Sequence, residues 1–192
     1  MNKLTKNKVV QLSFKLIEKI GWKDFSLEKL SVEEKINIDE LKNLIVSKNN
    51  ILNQYSTMID HEVESSIVYD DFKDSSVKDN LFELLMCRFD SMNSYKMALK
   101  SIIQSGKDPL LLKELSCNVM NSLDFYLEFA GAYDGTIIDN FKKKTFLLIY
   151  AYCFKIWLED DSDDLSKTMS ELDRLLTMSE KFSKKSKEFF LF

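Results

Sequence analysis

Residues Phe25-Ser26-Leu27-Glu28-Lys29-Leu30-Ser31-Val32-Glu33-Glu34-Lys35-Ile36-Asn37-Ile38-Asp39-Glu40-Leu41-Lys42-Asn43-Leu44 decide how the chain is read. Ser26 has the residue type of an N-cap, and Leu27 and Leu30 are the inward positions of a short helix that ends in the polar run Glu33-Glu34-Lys35. Glu40 follows Asn37 by three positions, the residue types of a capping box, so a second short helix opens at once and runs through Leu41 and Leu44. Two short helices joined by so tight a connection form a helix-turn-helix pair.

The flanks agree. Between Lys6 and Ile20, Val10, Phe14 and Ile17 fall at offsets of 0, 4 and 7, with Val9, Ser13, Leu16 and Ile20 beside them, an amphipathic stripe stopped by Gly21. After the pair, Ser47 caps a longer helix carrying Ile51, Leu52, Tyr55 and Ile59.

Composition points the same way over the whole chain. With four Gly and one Pro in 192 residues, a turn-rich β chain or a Gly-loop nucleotide fold is excluded, while 45% hydrophobic residues suffice for a core. The expectation is an all-α protein of about nine helices. Ser76 with Asp79 caps a helix holding Leu81, Leu84, Leu85, Phe89 and Met92, and a short helix follows around Met97 to Gln104. Gly106 and Pro109 mark a break, after which one helix runs from Leu110 to Ala130 and another from Thr136 to Leu158, the latter apolar nearly all round in its second half. Asp161-Ser162-Asp163-Asp164 caps the last helix, through Leu165, Met169, Leu172, Leu175 and Leu176.

Catalytic and metal chemistry find no footing. His61 is the single histidine and lacks a second His four residues on, so it reads as a solvated helix residue. Cys87, Cys117 and Cys153 are isolated in apolar helical patterns and read as reduced core residues. No catalytic residue, metal ligand or cofactor is expected, and the chain reads as a non-enzyme. The start, Met1 to Lys8, leads into an amphipathic segment rather than an apolar signal core, and the stretch Thr145 to Phe154 is too short to cross a bilayer, so a cytoplasmic location is expected.

The first 55 residues resemble the TetR family of bacterial transcriptional regulators. The likeness rests on Glu18-Lys19-Ile20-Gly21-Trp22, Phe25-Ser26-Leu27-Glu28-Lys29-Leu30, Lys35-Ile36-Asn37-Ile38 and Ser47-Lys48-Asn49-Asn50-Ile51-Leu52. The run Trp157-Leu158-Glu159-Asp160-Asp161-Ser162, with Lys167-Thr168-Met169 and Leu172-Asp173-Arg174, is similar to one branch of that family. That branch is in turn similar to the Coq-nine-like lipid-binding accessory proteins of ubiquinone biosynthesis. There are departures. Where the family usually has Ala-Gly-Val-Ser at the tight crossing, this chain has Glu34-Lys35-Ile36-Asn37, and its recognition helix reads Ile38-Asp39-Glu40-Leu41-Lys42-Asn43-Leu44-Ile45.

The resemblance implies a helix-turn-helix module over residues 1–47, a helical ligand-binding and dimerisation domain over 48–182, and a basic-aromatic tail over 183–192. Residues 1–55 carry a net charge of +3 and the remainder −7. Contacts to operator DNA are therefore expected from Lys3, Lys6, Lys8, Asn37, Lys42, Asn43 and Lys48, the lysines serving mainly phosphates. Both arginines, Arg88 and Arg174, lie outside this module, which removes the bidentate guanine contact.

In the larger domain the implied lining of a cavity for an apolar effector is Phe82, Leu85, Phe89, Phe125, Phe129, Phe146, Tyr150 and Phe154. The implied homodimer contact uses Leu148, Tyr152, Ile156, Leu165, Met169, Leu172 and Leu176. Both sets are equally readable as core. Lysines beside Phe189-Phe190-Leu191-Phe192 suit contact with a membrane surface or a fold back onto protein. Two functions stay open: a dimeric, effector-controlled DNA-binding regulator, and a lipid-binding accessory protein with a degenerate helix-turn-helix.

Overall fold

A computed structural model describes residues 4–105, 109–136 and 138–189. Among these it contains ten α-helices, a 3-10 turn and no strand: α1 (Lys6–Ile20), α2 (Leu27–Glu34), α3 (Ile38–Leu44), α4 (Lys48–Ser66), α5 (Tyr69–Lys73), α6 (Val77–Met92), the turn Asn93–Tyr95, α7 (Lys96–Ser105), α8 (Pro109–Phe129), α9 (Ile138–Leu158) and α10 (Ser166–Phe189). The all-α expectation holds, and the short α5 is the element that the sequence did not signal. Its start, Val68, makes no side-chain capping bond.

The chain groups into two compact units, one of residues 1–64 and 91–119 and the other of 65–90 and 120–192. In the first unit, α1 is laid down by its stripe: Val9, Val10, Phe14 and Ile17 are buried, and Thr5 caps the helix by accepting the Lys8 N–H at 3.2 Å. Phe14 stacks on Tyr55 of α4 at 4.3 Å between centroids, and Tyr95 meets both rings edge-on at 5.3 Å. Aromatic pairs in these geometries add to the burial of their area. Ser47 caps α4 as expected, accepting the Asn50 N–H at 3.3 Å.

In the second unit, α6 presents Leu81, Leu84, Leu85 and Phe89 to the core. Ser76 and Asp79 form the expected cap: the Asp79 N–H reaches Ser76 Oγ at 3.1 Å and the Ser76 hydroxyl donates to Asp79 Oδ2 at 2.7 Å. α9 and α10 pack on one another, and the loop between them is fixed by buried Asp160. Its carboxylate accepts the Thr168 N–H and hydroxyl, each at 2.8 Å, and the Ser162 hydroxyl at 2.5 Å. The acidic run does cap α10, with Asp164 Oδ1 accepting the Ser166 N–H at 3.1 Å. Leu165, expected within the helix, precedes it in left-handed conformation (φ 52°) and is buried there.

Of two readings of single residues, that of His61 holds and that of the cysteines as core residues holds only for Cys153. His61 is exposed on α4, as read. Of the cysteines only Cys153 is fully buried, its thiol pushed by that burial up to about 12; Cys87 is half-buried and Cys117 is exposed, because it falls on the outer face of α8.

Candidate nucleic-acid interface

The α2–α3 crossing is built from backbone bonds that do not need glycine. Ser26 opens α2 by accepting the Lys29 N–H at 3.2 Å. At the other end Lys35 takes the left-handed conformation (φ 54°, ψ 39°), and its N–H closes on the Ser31 carbonyl. The Ile36 N–H reaches the same carbonyl at 3.0 Å, and the Ser31 hydroxyl returns a bond to the Ile36 carbonyl at 2.6 Å. These bonds satisfy carbonyls that a helix end would otherwise orphan. Asn37 then caps α3 by accepting the Asp39 N–H at 2.7 Å.

Leu41, fully buried, anchors α3, and Ile45 is buried just after it. The outward face of α3 carries Asp39, Glu40, Lys42 and Asn43. Lys42 reaches Glu28 of α2 at 3.0 Å, and both side chains remain exposed. Glu28 is lowered from the usual carboxylate range first by a bond to its own backbone N–H and then by Lys42. Lys6 and Lys8 stand exposed in the first turn of α1. Lys3 lies outside the described residues.

Lys48, for which a phosphate contact is expected, lies against Trp22 in the structure. Its ammonium donates to the Trp22 carbonyl and sits 4.3 Å from the centroid of the Trp22 ring. Burial lowers its pKa.

No family model matches the sequence, and no curated protein is similar to it at the level of sequence. The structure is similar to the crystal structure of the TetR transcriptional regulator from Nitrosomonas europaea, with a TM-score of 0.76 over 90% of this chain and 96% of that one, at 18% identity. The fold is TetR-like.

In the second unit of this TetR-like fold, the eight aromatic-set residues divide. Phe89, Tyr150 and Phe154 form one stack with Trp157, at centroid distances of 5.4 to 5.9 Å. Phe125 and Phe129 belong to another, with Tyr69 and Phe72 around Phe129. Leu85 and Phe146 are buried and Phe82 is half-buried. Against Tyr150 of the first stack lies a buried charge that the sequence did not place there. Arg88 is 2% exposed, and its guanidinium donates to the Tyr126 hydroxyl at 3.2 Å and the Tyr150 hydroxyl at 3.5 Å. The signal for it was the charge at 88 beside the inward Phe89, which helical spacing alone does not orient.

The residues expected at a dimer contact also divide. Leu148 is 70% exposed, and Tyr152 and Met169 are exposed with it. Leu165, Leu172 and Leu176 are buried, so they fill the core of their own subunit rather than a face, and Ile156 is half-buried. Ile138, Phe141, Met178 and Phe182, outside the expected set, are also exposed on the same two helices. Phe190, Leu191 and Phe192 of the tail lie outside the described residues, and nothing is described of the Phe189 side chain. Among the described residues no helix is long and apolar enough to cross a membrane, and no group of His, Cys, Asp or Glu is placed to hold a metal ion.

Proposed function

We propose that the protein is a homodimeric DNA-binding transcriptional regulator. The observation that carries this reading is the α2–α3 pair: its tight crossing is intact, and α3 turns Asp39, Glu40, Lys42 and Asn43 outward from a buried Leu41. An exposed polar helix anchored in this way is what a helix-turn-helix protein lays in the major groove. Residues 1–47 then serve as the reading module. Lys42 and Asn43 contact base edges, Glu40 can accept from cytosine N4, and Lys6 and Lys8 meet phosphates.

The exposed apolar residues of α9 and α10, led by Leu148 and Tyr152, serve the contact between two copies. Such a patch is a liability when bare and an interface when covered. Control by an apolar effector held among the aromatic residues of the second unit belongs to the same reading. Phe182, exposed beside Lys181, favours a lipid-surface role as a second reading.

Binding of duplex DNA carrying the protein's own upstream region, titrated with salt, tests the first reading. Affinity should fall steeply as salt rises. No binding at low ionic strength, together with co-purified lipid in native mass spectrometry, would replace it with the second.

A further inference from the structure

Trp22 stands at the corner between α1 and α2, and two distant parts of the first unit hold it. Gly21 turns the corner at φ 80°, and its N–H closes on the Ile17 carbonyl at 2.8 Å. From α4, the Lys48 ammonium donates to the Trp22 carbonyl and lies over the indole ring at 4.3 Å and 5.9 Å from the Phe25 ring. From α7, Ser101 Oγ accepts the Trp22 N–H at 3.1 Å, across 79 positions of sequence. Trp22 itself is buried and lies parallel to Phe25 at 6.1 Å. Both backbone polar groups of this one residue therefore bond side chains from outside the helix-turn-helix, the carbonyl accepting the Phe25 N–H at 3.3 Å as well.

The connectivity gives those two side chains a further meaning. The chain passes between the two compact units at residues 64/65, 90/91 and 119/120. α4 contains the first of these passages, and α7 begins six residues after the second. The helices on which two of the three passages open thus both reach the same residue, Trp22. In this position the cation is engaged by a carbonyl and a ring face.

We propose that Lys48 and Ser101 are positioning residues that jointly set the α1–α2 corner through Trp22, and that Lys48 acts on DNA affinity by this route rather than by touching phosphate. The inference rests on the DNA-binding reading for its consequence, but not for the junction itself. α4 and α7 set the corner, the corner carries α2, and α2 carries α3.

The test uses the full chain labelled with fluorotryptophan, whose two tryptophans give two resonances, assigned with Trp157→Phe. Lys48→Met and Ser101→Ala should each move the Trp22 resonance and leave that of Trp157 in place. Lys48→Arg, which keeps a cation over the ring, should restore it. Against a duplex of mixed sequence, Lys48→Met should weaken binding about tenfold with an unchanged dependence of log affinity on log salt, whereas loss of a phosphate contact lowers that slope by about one. The two substitutions should combine non-additively, as coupled neighbours do. A Trp22 resonance indifferent to Lys48→Met, or a slope lowered by about one, overturns the proposal. If the unaltered protein binds no duplex at all, the regulator reading fails, and the Trp22 resonances still decide the junction.

Discussion

Asp160 accepts both the backbone N–H and the hydroxyl of Thr168 at 2.8 Å, and it does so from a site where the aspartate is 1% exposed. Burial alone would raise the carboxyl, but the bonds from Ser162 and Thr168 outweigh it and hold the group at about 2. The folded value lies below the ordinary one, so the carboxylate stabilises the fold at pH values above the unfolded pKa. That contribution is lost as pH falls from about 5 towards 2. Asp160→Asn should lower stability by about 2 kcal/mol at neutral pH and flatten the acid limb of the unfolding curve. An acid limb identical in the two proteins, followed by circular dichroism, would show that the aspartate does not hold the loop.

The left-handed residues Lys35 and Leu165 give opposite expectations for the same substitution. Lys35 is exposed, so Lys35→Gly removes backbone strain and should stabilise the protein by about 1 kcal/mol. Leu165 is buried, so Leu165→Gly relieves the same strain but removes a core side chain, at a net cost of about 2 kcal/mol. Thermal unfolding of the two variants separates the cases by sign.

Lys42 is shared between Glu28 and any nucleic acid. Lys42→Ala should weaken duplex binding by about 1–3 kcal/mol and relax the preference for the base it faces, as expected for a contact to a base edge. Glu28→Gln should do the reverse, strengthening binding severalfold because it removes a competing carboxylate that is itself exposed. Equal affinity for both variants in a fluorescence-anisotropy titration would mean that α3 does not approach phosphate or base at this position.

Leu148 and Leu172 lie one on α9 and one on α10 but differ in exposure, 70% against 0%. Leu148→Glu should convert a dimer to a folded monomer of unchanged thermal behaviour, apart from the linkage to concentration. Leu172→Ala should instead destabilise each subunit by about 3 kcal/mol. Sedimentation velocity and unfolding, read together, distinguish loss of partner from loss of core.

Local signals were legible in the sequence to the extent that their cause is local. The caps at Ser26, Asn37, Ser47 and Ser76 each bond an N–H two or three residues away, so residue type and spacing are enough to find them. The buried stripe of α1 is legible for the same reason. The direction of Lys48 was not, because it depends on a carbonyl 26 residues earlier that the α1–α2 corner brings to it. Arg88 was read as one of two remote charges, whereas the fold closes two tyrosines from α8 and α9 on it. Leu165, Leu172 and Leu176 shared helical spacing with exposed Met169, and periodicity does not separate a side chain that faces its own core from one that faces a neighbour.

The Lys35 turn bears on how such modules are recognised at all. Its φ of 54° and its bonds to Ser31 make with a lysine a left-handed turn of the kind glycine adopts at least cost, so the shape stands without that letter. A turn held by one backbone angle and a few hydrogen bonds leaves little mark on residue type, and a reader of letters passes over what a reader of dihedral angles finds whole.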